Sequence, residues 1–151
     1  MNDYVRFRLD WTEEDYGHMD EKIRELLKAL HQFRIKTIMS CEGHIRKSWI
    51  YAGVYPYPWV ILILNPSDLR RMEAKLKEWN RQNKGENWIL SGKRVHGSFT
   101  PAYIRSDVTC DDDTLTVTAL VPENDNEKDL SATALAAFQQ QVPRLASFIS
   151  A

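Results

Sequence analysis

The run WVILIL, from Trp59 to Leu64, constrains this chain more than any other feature. Six consecutive apolar residues without alternation cannot lie half-exposed, so they predict a central strand covered on both faces. The run is far shorter than the ~20 residues that a membrane-spanning helix needs. At 151 residues the chain can bury one core and not two. Its 43% hydrophobic and 27% charged residues exclude both a disordered chain and a membrane bundle.

The other elements are read from period and punctuation. Residues 4–11 alternate, with Val5, Phe7, Leu9 and Trp11 against Arg6, Arg8 and Asp10, which predicts a half-buried strand. Residues 19–33 change period: Met19, Ile23, Leu26, Leu27, Leu30 and Phe33 form a helical stripe, with Asp20 placed as its N-cap. Residues 35–41 are short and partly β-branched, hence a second strand. Asn65-Pro66-Ser67-Asp68 starts a helix with a cap, a proline suited to its first turn and an acid at its positive end. That helix has an apolar stripe of Leu69, Met72, Leu76 and Trp79 and ends at Lys84-Gly85.

Three further strands are expected within residues 87–121, the last two around 104–110 and 115–121. The acids Asp111, Asp112 and Asp113 between them lack the spaced ligands and glycine of a calcium loop and read as a hairpin turn. Residues 130–138 predict an Ala-rich helix that Pro143 kinks or ends. No repeat or linker divides the chain. The order β-α-β-β-α-β-β-β-α predicts a single α+β domain over residues 1–151, a mixed or antiparallel sheet with helices packed on it.

Chemistry concentrates after the second strand. Ser40, Cys41, Glu42, Gly43 and His44 bring a thiol, a carboxylate and an imidazole around one glycine, whose freedom at positive φ allows a sharp turn. A thiol beside an imidazole is the arrangement that activates a cysteine, so Cys41, Glu42 and His44 are the candidate catalytic groups. The competing reading is a buried cysteine ending a strand beside a surface histidine. Cys41-x-x-His44 also has zinc-like spacing, which His96 and Cys110 would complete. Those two are too widely separated for a tight motif, so neither a metal nor any other cofactor is expected.

Residues 45–59 interleave Arg46 and Lys47 with Trp49, Tyr51, Tyr55, Tyr57 and Trp59, stiffened by Pro56 and Pro58. Flat rings beside cations suit a planar ligand bearing phosphate or carboxylate. Trp59, at the start of the apolar run, is expected to pack as cover for the strand. Lys93, Arg94, His96 and Arg105 follow on expected strands and would add positive charge. Residues 51–105 carry five excess positive charges and residues 106–151 six excess negative ones, so the basic middle of the chain can face an anion. No block is basic enough for duplex DNA.

The stretches IKTIMSCEGH and YPYPWVILIL resemble a group of small uncharacterised bacterial and phage proteins over residues 19–64. Those proteins share a helix, a strand ending in a Ser-Cys-x-Gly-His-like turn, and a proline-containing approach to the next strand. Ser40-Cys41-Glu42-Gly43 is also similar to the Ser-Ser-Cys-Ser-Gly-Arg stretch of the tRNA wybutosine-synthesising methyltransferase family. This chain has Glu42 where that family has serine and His44 where it has arginine. The resemblance implies that such a turn holds an adenine-containing ligand.

The expected function is therefore a protein that binds a nucleotide-like, anionic, planar small molecule, for instance sequestering a nucleotide signal in phage counter-defence. The candidate ligand-binding residues are those of the 40–44 turn, the cations and rings of the loop through Tyr57, and Arg94, His96 and Arg105. An enzyme acting on a similar substrate, through Glu42 and His44 as acid and base or Cys41 as nucleophile, is the alternative. A homo-oligomeric accessory domain is the third reading. Asp3 near the start and the absence of an apolar leader core predict a cytoplasmic protein with reduced thiols and no membrane partner.

Overall fold

The computed structural model describes residues 3–44, 57–91, 93–95, 98–100, 114–123 and 131–151. Two short helices, α1 (Asp3–Arg6) and α2 (Glu13–Gly17), precede a 3-10 turn (Glu21–Ile23) that leads into α3 (Arg24–Gln32). Strands β1 (Lys36–Cys41) and β2 (Trp59–Leu64) follow, then α4 (Pro66–Gln82), β3 (Trp88–Ser91), β4 (Lys93–Val95), β5 (Ser98–Thr100), β6 (Thr116–Pro122) and α5 (Ala132–Ser150). The main sheet has the order β1-β2-β6-β3 with every neighbouring pair antiparallel, and β4 and β5 form a separate hairpin. The domain is α+β, as the sequence predicts. Among the described residues no helix is long and apolar enough to cross a membrane.

β2 lies inside the sheet and all six of its side chains are buried, the outcome expected of an apolar run without alternation. Val60, Leu62 and Leu64 pack in a cluster with residues of α3, α4 and α5. Trp59, Ile61 and Ile63 pack in a second cluster on the opposite face, with Val117, Ala119 and Val121 of β6. Each such side chain contributes about 1.5–3 kcal/mol on burial, so β2 is the keystone of both layers.

A register shift between Thr37 and Met39 decides which way the end of β1 faces. Thr37 hydrogen-bonds His31 of α3 (2.9 Å), yet Cys41 packs with the opposite cluster. Strict alternation would put both on one face, and the bulge moves Cys41 to the other.

α4 begins as its sequence dictates. The Asn65 side chain accepts from the backbone N–H of Asp68 (2.7 Å), and Pro66 occupies the first turn. Asn65→Ala should lower stability by about 1 kcal/mol in a urea titration, because the N–H of Asp68 loses its acceptor. An unchanged midpoint would mean that the cap contributes nothing.

Two expectations need correction. Residues 4–11 form no strand: α1 occupies their beginning, and Val5 is 56% exposed. The Tyr4 hydroxyl donates to the buried Asp68 carboxylate at the start of α4, while the Lys36 ammonium donates to the Tyr4 carbonyl (2.8 Å). These side-chain anchors hold the segment where alternation suggested ladder pairing. Pro143 neither ends nor visibly divides α5, which runs on to Ser150. Val142, Leu145, Ala146 and Ile149 are buried in the helical layer, and that packing outweighs the one hydrogen bond a proline removes. The expected strand at 104–110 and the acidic turn at 111–113 lie outside the described residues.

Candidate functional site

The site forms where β1 ends. Cys41 is the register partner of Trp59, so the two side chains share a sheet face. The chain then turns at Gly43, which has φ +89°, in the left-handed region where other residues are strained. A Cβ at this position would lie 2.7 Å from the Tyr57 carbonyl carbon and 2.8 Å from Leu135 Cδ1. The turn is thus seated directly on the backbone that leads into β2 and on α5, and only glycine fits.

Asp20 and Glu42 exchange the roles that sequence assigns to them. Asp20 occupies the cap position of the 3-10 turn but makes no capping bond there; its carboxylate accepts from the backbone N–H of Glu42 (3.1 Å). The Glu42 carboxylate accepts in turn from the backbone N–H of Lys22 (2.9 Å), inside the 3-10 turn. The Glu42 carbonyl accepts from the Gln139 side chain of α5 (3.0 Å). Glu42 is therefore a structural clamp tying β1 to two helices, and its carboxylate is engaged before any substrate arrives.

Cys41, His44 and Asp20 converge. His44 Nε2 lies 3.6 Å from Asp20 Oδ2, with both side chains about two-fifths exposed. The Cys41 sulfur, on a half-buried free thiol, accepts from the Gly43 N–H (3.3 Å). Burial pushes this thiol up to about 11, with the Asp20 and Glu42 carboxylates adding to the rise and the Gly43 N–H opposing it. A thiol so held is protonated at neutral pH, the opposite of the activation that a Cys41–His44 couple would provide.

Trp59 packs as expected and is 4% exposed, yet its indole N–H is buried and has no hydrogen-bond partner among the described residues. Tyr57 is 8% exposed and belongs to the second core cluster, so its ring is core rather than an open stacking face. Ser40 pairs with Val60 at the base of the turn. Arg46, Lys47, Trp49, Tyr51, Tyr55, His96, Arg105 and Cys110 lie outside the described residues; Arg94 is on β4, and its side chain is not described. Sequence reasoning missed Asp20 as a member of the site, because its position before a helix is fully explained by capping. Gln139 carries no local signal at all.

Comparison of the chain with protein-family models, with curated proteins and with solved structures finds no match.

Proposed function

We propose that this chain binds a planar, nucleotide-like anionic small molecule at the 40–44 turn and releases it unchanged. The observation that carries this reading is the buried indole N–H of Trp59, on the face shared with Cys41, which meets no acceptor among the described residues. A buried donor without an acceptor costs about 1–3 kcal/mol, so native sites rarely leave one unless something else satisfies it. A phosphate, carboxylate or ring carbonyl oxygen is the acceptor such a donor takes. The turn around it is held by Asp20, Lys22 and Gln139, which keeps the site formed before the ligand arrives. Between this turn and Tyr57 the sequence carries rings and cations of the types that stack on flat anionic ligands.

Binding is favoured over catalysis because two of the three groups that would react, Glu42 and Cys41, are already engaged. The Glu42 carboxylate holds the backbone of Lys22, and burial, with the neighbouring Asp20 carboxylate adding to it, disfavours a Cys41 thiolate. The test is native mass spectrometry of the purified protein, followed by calorimetric titration with a panel of nucleoside mono-, di- and triphosphates and cyclic dinucleotides. At least one should bind and be recovered intact. Trp59→Phe removes the donor and keeps an aromatic ring, and should weaken that binding about tenfold, the ~1.4 kcal/mol expected of one hydrogen bond. Absence of binding across the panel and of any retained mass would overturn the reading, and a chemically altered ligand would turn it into the enzyme alternative.

A further inference from the structure

We propose that Asp20, Cys41 and His44, the three potential ligands that meet among the described residues, form a site for one zinc-type divalent cation. Their ligand atoms all lie within 4.8 Å of one another. Zinc bonds of about 2.3 Å to sulfur and about 2.0–2.2 Å to nitrogen and oxygen set tetrahedral ligand separations near 3.3–3.8 Å. The 3.6 Å between His44 Nε2 and Asp20 Oδ2 is within a few tenths of an ångström of the separation of a nitrogen–oxygen pair on one tetrahedral ion. Closing the rest of the set requires adjustments of about an ångström at most, which a side-chain rotation supplies.

The donor set selects the metal class. A thiolate, an imidazole and a carboxylate suit zinc and its neighbours, while calcium and magnesium take all-oxygen sites. Two of the three donors are anionic in the bound state, the Asp20 carboxylate and the Cys41 thiolate, which balances a divalent charge; the Cys41 thiol proton leaves to solvent as the sulfur–metal bond forms.

The ligands are also oriented from behind. The Gly43 N–H points at the Cys41 sulfur (3.3 Å) and the Glu42 N–H at Asp20 Oδ2 (3.1 Å). Such outer hydrogen bonds fix ligand direction in metal sites. Both donors belong to the turn that the left-handed Gly43 makes possible, so the same backbone feature brings Cys41 and His44 together and aims Asp20. The Cys41-x-x-His44 spacing supplies two of these ligands; the third, Asp20, comes from the start of the 3-10 turn far upstream, where the sequence assigned it to capping.

The inference stands apart from the nucleotide reading, and its test uses the metal alone. Full-length, tag-free protein is stripped with chelator and titrated with cobalt(II). The expected result is one cobalt per chain, with a thiolate-to-cobalt charge-transfer band and the intense visible absorption of a tetrahedral ion, both abolished by added zinc. Cys41→Ser should lose the charge-transfer band, whereas Cys110→Ala should keep it. Asp20→Asn, which retains an oxygen acceptor for the Glu42 N–H, and His44→Ala should each weaken cobalt binding at least tenfold. No charge-transfer band in the parent protein overturns the proposal, whether or not the variants fold. So does a band that survives Cys41→Ser, or binding that neither Asp20→Asn nor His44→Ala weakens. Nucleotide titration of the same stripped protein reports the other reading separately.

Discussion

Gly43→Ala is expected to destabilise the protein by roughly 3 kcal/mol, from a left-handed backbone penalty of about 1–2 kcal/mol and the steric conflict that adds to it. For a domain of this size that corresponds to a melting temperature lower by roughly 6–12 °C. The conflict is specific: the new methyl group would meet the backbone of Tyr57 at 2.7–2.8 Å and Leu135 Cδ1 at 2.8 Å. A leucine terminus can rotate away, but the Tyr57 backbone leads straight into β2 and has nowhere to go. Two other glycines separate the contributions. Gly85 also has positive φ (+86°) but no atom near its missing Cβ, so Gly85→Ala should lose only the conformational part. Gly17 has open space and no left-handed backbone, so Gly17→Ala should be close to neutral. Urea titrations of the three variants check the order. Equal losses at positions 43 and 85 would refute the close approach of turn and strand.

The second large effect is a pH dependence carried by His31. Burial holds this imidazole down to about 4, from an ordinary value near 6.5. It is 4% exposed, with Nδ1 2.7 Å from the Tyr16 hydroxyl, Nε2 2.9 Å from Thr37 Oγ1, and the Trp11 ring centred 4.7 Å away. Above pH 6.5 folded and unfolded chains both hold the ring neutral, and His31 adds no slope. Below it the unfolded chain takes up a proton that the folded chain refuses, so stability falls by up to about 1.4 kcal/mol per pH unit. The loss saturates near pH 4, where the folded ring also protonates, after a total of about 3 kcal/mol. Urea titrations at intervals from pH 7.5 to 4 measure it. His31→Gln should be less stable at pH 7.5 but should lack the extra loss between pH 6.5 and 4.5. Parallel curves for parent and variant would show that the imidazole is not buried neutral. The low values at Asp15 and Glu78 arise from hydrogen bonds to Thr12 and to Arg81, respectively, and their contributions fade at more acidic pH.

His31 also marks the limit of reading histidines from a chain. Its place next to a helical stripe suggests no function, and the structure makes it a core polar group with hydroxyls on both nitrogens. The partners Tyr16 and Thr37 come from a different helix and from β1, and nothing near His31 in sequence announces them.

The same division runs through the fold and the site. Local signals were sufficient wherever the deciding interactions lie within a few residues. The unbroken apolar run made β2 a fully buried strand, Asn65-Pro66 started α4 at the residue expected, and Gly43 between Cys41 and His44 made the turn. Local signals misled wherever a distant partner outbid them. Alternation at residues 4–11 yields to the Tyr4–Asp68 and Lys36–Tyr4 anchors, and Pro143 yields to the packing of α5 on the helical layer. The site shows both kinds of information at once. The residue types and the turn were legible in residues 40–44 because a glycine's conformational freedom is a property of that residue alone. The pairing of Asp20 with Glu42, the seat of Gly43 on Tyr57, the bulge that turns Cys41 toward Trp59 and the burial of the Trp59 N–H exist only after the sheet and helices assemble. Residue types alone say which groups are available and where the backbone must bend. The tertiary structure decided which of them meet, because hydrogen bonds and ligand sets depend on distances across the fold that no local pattern encodes.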